Sequence, residues 1–175
     1  MKKTTIVIRD FRQADLDAVV DIVKKSHEEP TNISLRSKQE FQKLLPEFSD
    51  FLVAEIDGII AGLLTTFNQN SKYSSPWFDR TVRLAKLRNW KSYLYVDTCA
   101  VSENYRRKGI MLKLGDELIA LHKNDYDAIT FDTRYNPPNI PMLEFAKKGN
   151  FDKADEFKAP NGSTYAVFIL KKKIK

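Results

Sequence analysis

Four basic or turn-forming residues stand in a row just before an apolar run, within the segment VSENYRRKGIM at residues 101–111. The apolar run predicts a helix, and the first turn of a helix exposes unpaired backbone N–H groups at the positive end of its dipole. Such a helix start binds anions, and Arg106, Arg107 and Lys108 add positive charge beside it. Gly109 lets the backbone approach a ligand closely. The spacing therefore predicts a pyrophosphate site.

The alternative explanation for this segment is a solvated basic turn that merely precedes a helix. The dinucleotide pattern GxGxxG and the phosphate-loop pattern GxxxxGK[ST] are both absent, so the nucleotide folds that depend on them lose their main support. The net charge of +6, from 29 lysines and arginines against 23 acids, favours anionic partners without identifying them. An anion is therefore expected, and its identity stays open at this point.

Cysteine and histidine patterns do not indicate a reactive or metal-binding site. Cys99 is the only cysteine, so an intrachain disulfide is impossible, and we expect a small core residue without a covalent role. His27 and His122 lack metal-ligand spacing, and each is expected to be solvated on a helix. The apolar run at residues 6–8 is shorter than the roughly 7–15 residues of a signal-peptide core, so a cytoplasmic protein is expected.

Alternating helix and strand patterns must position the basic segment. Residues 93–101 have strand character and end at the basic turn, and residues 110–122 carry apolar side chains on one helical face. The other predicted elements are strand 4–9, helix 15–25, helix 37–45, strands 51–56 and 59–67, helix 76–88, strand 127–133, helix 139–148, and strands 151–157 and 165–172.

Two local signals support this order of elements. Asp57 and Gly58 readily take the positive φ angles of a two-residue hairpin turn, and Ser37 with Glu40 forms a capping box at a helix start. Because two hairpins interrupt the alternation of helices and strands, we expect a single α/β domain over residues 1–175. Its central sheet should mix parallel and antiparallel strands and be flanked by helices.

The same residues carry a family resemblance. VSENYRRKGIM resembles the cofactor motif of the GNAT acyl-CoA-dependent N-acyltransferases, V-x-P-x-Y-R-x-x-G-x-G/A, which joins the fourth strand to the third helix. Met111 stands where the family usually has Gly or Ala. The segment NIPMLEFAKKGNF resembles the family pattern N-x-x-A-x-x-x-Y-x-K-x-G-F, with Met142 in the Ala place and Ala146 in the Tyr place. The matching positions are Val101, Tyr105, Arg106, Gly109, Ile110, Asn139, Lys148 and Phe151.

The resemblance runs from residue 4 to about residue 170 and implies a GNAT fold and an acetyl-CoA-dependent N-acetyltransferase. In this family the backbone of the fourth strand pairs with the pantetheine arm, and the N–H groups of the basic turn bind the pyrophosphate. The acceptor is implied to be a primary amine, on a small molecule or a peptide. The cofactor contacts implied by the resemblance fall on Cys99, Val101, Arg106, Arg107, Lys108, Gly109, Ile110, Met111 and Asn139.

Acylation of an amine requires a group that accepts the amine proton. Asp97 is expected on the strand face of Tyr95, Cys99 and Val101, two positions from the implied pantetheine contacts. We therefore expect it to take the proton directly or through water. The alternative is that this carboxylate is a structural hydrogen-bond acceptor.

The general acid of the family is absent at its usual position. Ala146 stands there, and Tyr165 or Tyr105 are the replacements that the sequence offers. A thiol with a pKa near ~8.5 leaves as thiolate without assistance, and losing the acid costs roughly 10²- to 10⁴-fold in rate. Catalysis is therefore still expected.

Two other classes of function stay open from the sequence. Met111 and Ala146 are compatible with a degenerate member that binds acyl-CoA without turning it over. The net charge and the mixture of aromatic and basic residues in 68–91 are compatible with a nucleic-acid or anion-binding module, which ranks lower because no recognition motif accompanies it. The acceptor pocket is expected to use residues 27–36, 68–91 and 135–140. No membrane partner is expected, and a homodimer is left open.

Overall fold

The computed structural model describes residues 5–28, 34–122 and 124–171. Its elements follow the order that the sequence predicts. Within the described residues these elements are β1 (Ile6–Asp10), α1 (Leu16–Glu28), α2 (Lys38–Leu44), β2 (Asp50–Ile56), β3 (Ile59–Asn68), α3 (Phe78–Leu87), β4 (Tyr93–Val101), α4 (Ile110–His122), β5 (Ala128–Asn136), α5 (Ile140–Lys148), β6 (Asp152–Lys158) and β7 (Thr164–Lys171).

The strands form one mixed sheet. Among the described residues the spatial order is β1-β2-β3-β4-β5-β7-β6, and every neighbouring pair is antiparallel except β4 and β5. The predicted α/β fold with a mixed sheet is therefore confirmed. Asp57 and Gly58 have φ angles of 51° and 80°, as the predicted two-residue turn between β2 and β3 requires.

Helices cover both faces of the sheet. Leu52 and Ala54 on β2 belong to the core beneath α4 and α5, whereas the alternating residues Phe51 and Val53 pack with α1 and α2. The third helix, α3, packs over Tyr95 on the same face as α1 and α2. This period of two along β2 is the reason that one strand supplies two separate cores.

The parallel pair β4 and β5 is joined only at its beginning. Tyr93–Tyr95 pair with Ala128–Thr130, and no later residue of β4 pairs with β5. Both strands nevertheless continue, to Val101 and to Asn136. Their carboxyl-terminal halves therefore separate and leave a gap in the middle of the sheet.

A β-bulge in β4 lies at the start of this gap. Thr65 of β3 pairs with Thr98 and Thr66 pairs with Val96, so Asp97 is the extra residue without a partner on β3. The bulge breaks the alternation of faces. The prediction that Asp97 shares a face with Cys99 and Val101 is therefore wrong.

The side chains on the two sides of the bulge confirm this change of face. Cys99 and Val101 pack with the core of α4 and α5, together with Val96. Asp97 instead shares with Tyr95 the face that α3 covers, because its carboxylate bonds to Arg36 near the start of α2.

Most predicted element boundaries agree with the structure to within one or two residues. The strand β4 and the helix α4 have the predicted bounds, and Ser37 caps α2 with both hydrogen bonds of the capping box to Glu40. The strand β5 runs to Asn136, beyond the predicted end at residue 133. Residue 4, the predicted start of β1, and residue 172, the predicted end of β7, lie outside the described residues. No helix in the described ranges is long and apolar enough to cross a membrane.

Gly115 on α4 is required for packing, and we expect a measurable cost when it changes. A Cβ there would lie 2.3 Å from Cε2 of Phe145 on α5. Alanine normally favours a helix over glycine by about 1 kcal/mol, but overpacking costs about 1–3 kcal/mol. Gly115→Ala should therefore lower the free energy of unfolding, measured by denaturant titration beside exposed Lys113→Ala. A stability equal to that of the parent would contradict the packing argument.

Candidate active site

A large cavity of about 630 Å³ opens where β4 and β5 separate, beneath the start of α4 and beside α5. Its walls come from the second half of β4, the basic turn, β5 and the first turns of α5. Of the catalytic and cofactor-binding residues predicted from the sequence, only Lys108 does not line this cavity. The predicted residues that the cavity brings together are Asp97, Cys99, Val101, Arg106, Arg107, Gly109, Ile110, Met111 and Asn139.

The basic turn has the backbone geometry of an open anion cradle. Arg107 and Gly109 have φ angles of 61° and 78°, and a Cβ on Gly109 would meet no atom within 4 Å. The first backbone bond of α4 runs from Lys113 N–H to Gly109 O at 3.0 Å. The N–H groups of residues 110–112 thus have no partner within the helix, and the first turn contains no acidic residue. An anion placed here meets both N–H donors and the positive helix end.

The basic side chains of this turn are arranged differently from one another. Arg106 donates through Nε to the backbone oxygen of Val101 at 3.4 Å, which keeps its guanidinium beside the end of β4. Lys108 instead extends over the ring of Tyr105, with Nζ 4.8 Å from the ring centre. Lys108 therefore lies next to the cradle rather than in its wall.

Thr133 on β5 was not anticipated from the sequence. It is 1% exposed, it lines the large cavity, and its Oγ1 has no hydrogen-bond partner among the described residues. An unpaired buried hydroxyl costs about 1–3 kcal/mol, so a polar group of a ligand at this position would recover that energy. A threonine in a strand is ordinary, and no sequence signal distinguishes this one.

Asp97 forms a buried ion pair. The two Nη atoms of Arg36 donate to its two oxygens, one of them at 2.9 Å, and Thr98 Oγ1 donates at 2.8 Å. Arg36 also donates to the hydroxyl of Tyr73 at 2.9 Å. Burial lowers the pKa of Arg36, but the hydrogen bonds and charge of Asp97 outweigh it and raise the pKa above its ordinary value. Arg36 thus stays charged, and Asp97 holds it in place.

Asp132 is a second carboxylate in the gap. Burial raises the pKa of Asp132 to about 6, and the charge of Asp97 adds to this, while the hydroxyl of Tyr95 and the charge of Arg80 oppose it. Tyr95 Oη donates to Asp132 Oδ1 at 2.5 Å, and burial holds the pKa of Tyr95 well above its ordinary value. A carboxylate with a pKa near neutrality is suited to accept a proton. Its position as the one acid in the run AITFDT is the signal that could have identified it.

A small hollow of about 40 Å³ adjoins the large cavity. Asp97 and Asp132 line both spaces, so the two carboxylates mark where they meet. Of the three segments expected for the acceptor, 27–36 and 68–91 contribute residues to the small hollow. The third, 135–140, instead contributes Asn139 and Ile140 to the large cavity. Residues 29–33 of the first segment lie outside the described residues. Among the described residues, those that line the hollow are Ser34, Arg36, Trp77, Tyr95, Asp97, Thr98, Asp132 and Tyr165.

The cysteine and histidine expectations have different outcomes. Burial raises the pKa of the Cys99 thiol to about 12, so the sulfur is protonated and a poor nucleophile, as expected. His122 is not solvated as expected, because its Nε2 lies 2.7 Å from Asp50 Oδ1 and its side chain is 19% exposed. No group of metal-binding side chains occurs in the part of the chain that the structure describes.

The aromatic residues of the alternative nucleic-acid hypothesis do not form an open stacking surface. Phe78 is 3% exposed and packs inside the core beneath α3. Trp77 forms part of the small hollow, where its ring lies 4.6 Å from that of Tyr165. Bases stack on exposed aromatic rings, so these residues give that hypothesis little support.

The fold, the split pair β4 and β5, and the cradle at the start of α4 define an α/β domain whose cavity suits a long ligand with an anionic group at one end. The sequence model described as the acetyltransferase (GNAT) family matches residues 16–150. The chain therefore belongs to the GNAT acetyltransferase family. No match was found among curated proteins.

Solved structures with the same fold include N-acetyltransferases from several organisms. An N-acetyltransferase from Staphylococcus aureus has a TM-score of 0.71 at 19% identity, over 97% of this chain and 99% of that one. Arabidopsis thaliana NAA60, in complex with a bisubstrate analogue, has a TM-score of 0.71 at 16% identity, over 95% of this chain and 98% of that one. A ribosomal-protein-alanine N-acetyltransferase from Brucella melitensis has a TM-score of 0.71 at 18% identity, over 94% of this chain and 99% of that one. At these identities the likeness extends to the fold alone.

Proposed function

We propose that the chain is an N-acetyltransferase that transfers the acetyl group of acetyl-CoA to a primary amine, by direct attack in a ternary complex. One observation carries this proposal: the large cavity and the small hollow meet at Asp97 and Asp132 in the gap between β4 and β5. A long ligand and a small acceptor can therefore approach one point from two sides. The family membership supplies the reaction class.

The large cavity fits acetyl-CoA in three respects. The turn at Gly109 offers backbone N–H groups and the positive charge of Arg106 and Arg107 to a pyrophosphate. Among the described residues, no strand lies beside the second half of β4 on the β5 side, so its backbone at Cys99 and Val101 can pair with the pantetheine amides. Thr133 Oγ1 requires a polar partner. Bound acetyl-CoA supplies the acetyl thioester, and these residues orient it.

Two carboxylates compete for the role of proton acceptor. The catalytic role of Asp97 stays a prediction, and both of its oxygens already accept hydrogen bonds from Arg36 or Thr98. A substrate proton would have to displace part of that network. Asp132 accepts from Tyr95, has no ion pair within the described residues, and has a pKa of about 6. We therefore propose Asp132 as the main acceptor and Asp97 as the residue that fixes Arg36.

No acid from α5 assists the departing sulfur in this scheme. Ala146 is 2% exposed in the core of α5 and offers no proton. Tyr105 lines the large cavity and Tyr165 the small hollow, so each stays a candidate for that role. Because a thiol of pKa near ~8.5 leaves as thiolate at neutral pH, the reaction does not depend on either tyrosine.

Saturating acetyl-CoA is expected to raise the melting temperature of the protein by several degrees. At about 100 times Kd, a ligand adds about 2.7 kcal/mol of stability, and each kcal/mol raises Tm by about 2–4 °C in a domain of this size. Differential scanning fluorimetry measures the shift. Acetyl-pantetheine at the same concentration is the control, because it lacks the pyrophosphate and should give a much smaller shift.

The degenerate acyl-CoA-binding alternative predicts the same shift but no product. An assay of acetyl transfer to a panel of primary amines, in which the released free thiol is measured, distinguishes this alternative from an active enzyme. If neither compound changes Tm, the proposed function fails, and Met111 at the cradle would be the first residue to replace by glycine.

A further inference from the structure

The small hollow lies on the face of the sheet opposite α4 and α5. Its wall contains the rings of Trp77 and Tyr165, whose centroids are 4.6 Å apart, and both rings also contact Phe157. The carboxylates of Asp97 and Asp132 stand where the hollow meets the large cavity. An acceptor that enters here reaches the reaction point from the side opposite the acyl donor.

The charges around the hollow favour a cation. Arg36 is neutralised by Asp97, to which it donates from both Nη atoms. Asp132 forms no ion pair with any described residue, and Arg80, whose charge acts on it, stacks over the Phe157 ring at 3.4 Å. The carboxylate of Asp132 therefore adds a negative charge that Arg36 does not offset. The aromatic rings of Trp77 and Tyr165 line the same hollow, and aromatic rings attract an ammonium group further.

The size of the hollow restricts the shape of that cation. One water requires about 10–15 Å³ of such volume, so the hollow of about 40 Å³ accommodates about three groups of that size. An ammonium and one or two methylenes in line meet this limit. The α-amino group of a peptide is attached to a carbon that also carries a carbonyl and, in most residues, a side chain. That branched carbon needs more room than the described residues leave.

Resting on the proposed function, we infer that the acceptor is an unbranched primary alkylammonium, as at the end of an aliphatic amine or of a lysine side chain, and not an α-amino group. The ammonium first loses one proton to Asp132. The nitrogen lone pair then forms the bond to the acetyl carbon while the carbon–sulfur bond breaks and the sulfur keeps the electron pair. Asp132 passes its proton to water and then takes the second proton from the nitrogen, so the products are the amide, the thiolate and two protons released to water.

The decisive comparison uses two isomeric amines, 1-aminobutane and 2-aminobutane. They have the same atoms and similar basicity, and they differ only in branching at the carbon that bears nitrogen. Exclusion of one methyl group by a pocket changes kcat/KM about 10- to 200-fold, and we expect 1-aminobutane to be favoured by such a factor. Further arms use 1,5-diaminopentane, Nα-acetyl-lysine amide and an alanine-terminated peptide, which separate a small amine from a lysine side chain and from an α-amino group.

A pair of tryptophan variants tests which wall sets the preference. Trp77→Ala widens the hollow and should reduce the ratio between the two isomers, while the Tm shift with acetyl-CoA is retained. Trp90→Ala is the matched control, because Trp90 packs in the α3 cluster and lines neither space. It should leave the ratio unchanged.

The outcomes separate this inference from the proposed function. Equal or faster acetylation of 2-aminobutane or of the alanine-terminated peptide would overturn the inference and leave the acetyltransferase standing. If 1-aminobutane preferentially stabilises the CoA-bound protein but no product forms, the inference on the acceptor is supported and the proposed acetyltransferase activity is contradicted. Acetyl-CoA binding with neither stabilisation nor product from the amines would overturn the inference. A ratio unchanged by Trp77→Ala would overturn the assignment of the hollow.

Discussion

Gly109→Val is expected to raise the dissociation constant for CoA at least about tenfold while the domain stays folded. Gly109 has φ of +78°, and a side chain there costs about 1–2 kcal/mol, more when it is β-branched. Because a Cβ would meet no atom within 4 Å, the cost comes from the backbone and not from a clash. The turn should relax to another conformation and move its N–H groups away from the pyrophosphate. Isothermal titration calorimetry measures the affinity.

Gly58→Val is a matched control for this prediction. Gly58 has φ of +80°, and its Cβ would likewise meet nothing within 4 Å, but it lies in the β2–β3 turn and not in the cavity wall. Both variants should lose similar stability, and only Gly109→Val should lose affinity. If the two variants bind CoA equally well, the cradle at α4 is not the pyrophosphate site.

The parts of the site that follow local patterns were predictable from the sequence. The strand β4, the helix α4 and the basic turn between them depend on apolar periodicity and on one glycine, which are properties of neighbouring residues. The cavity wall accordingly contains Arg106 and Gly109 as expected. A local pattern of this kind identifies where an anion binds without any knowledge of the rest of the fold.

The catalytic side of the site depends on tertiary geometry, which no local pattern contains. The bulge at Asp97 arises from the register between β3 and β4, and it turns this carboxylate away from Cys99. Arg36 precedes Asp97 by 61 residues and reaches it only because α2 packs beside the sheet. Asp132 and Thr133 acquire their roles because β5 diverges from β4. The residue type of Thr133 suits an ordinary strand, and the single acid in the run AITFDT marks Asp132 without showing what lies beside it.

Asp132→Asn is expected to lower kcat for acetyl transfer about 10²- to 10⁴-fold, the usual contribution of a general base. Asparagine keeps an oxygen that can accept the Tyr95 hydroxyl, so the local structure should be retained. Asp116→Asn, on the exposed side of α4, is the control for the loss of one negative charge. The Tm shift with acetyl-CoA should be unchanged in both variants, which separates loss of chemistry from loss of donor binding.

The pH profile gives a second readout of Asp132. Its pKa of about 6 lies above the ordinary value because burial disfavours the charge, and Asp97 adds to this while Tyr95 and Arg80 oppose it. Below this pH the carboxyl is protonated and cannot accept a proton, so kcat/KM should fall there through an ionisation of the enzyme. That limb should be absent in Asp132→Asn. A limb that persists there and disappears in Asp97→Asn would identify Asp97 as the base.

Stability should respond to the same ionisation in the opposite sense. A carboxyl whose pKa is raised on folding binds its proton more tightly in the folded state, so its contribution to stability is present at low pH and is lost as pH rises through about 6. Asp132→Asn removes this loss, and its stability relative to the parent should therefore increase between about pH 4 and pH 7. If Asp132→Asn gains stability in this pH range while it loses turnover, the parent enzyme holds an ionised Asp132 carboxylate that costs stability and serves catalysis. A variant that loses both would indicate that Asp132 mainly supports the structure.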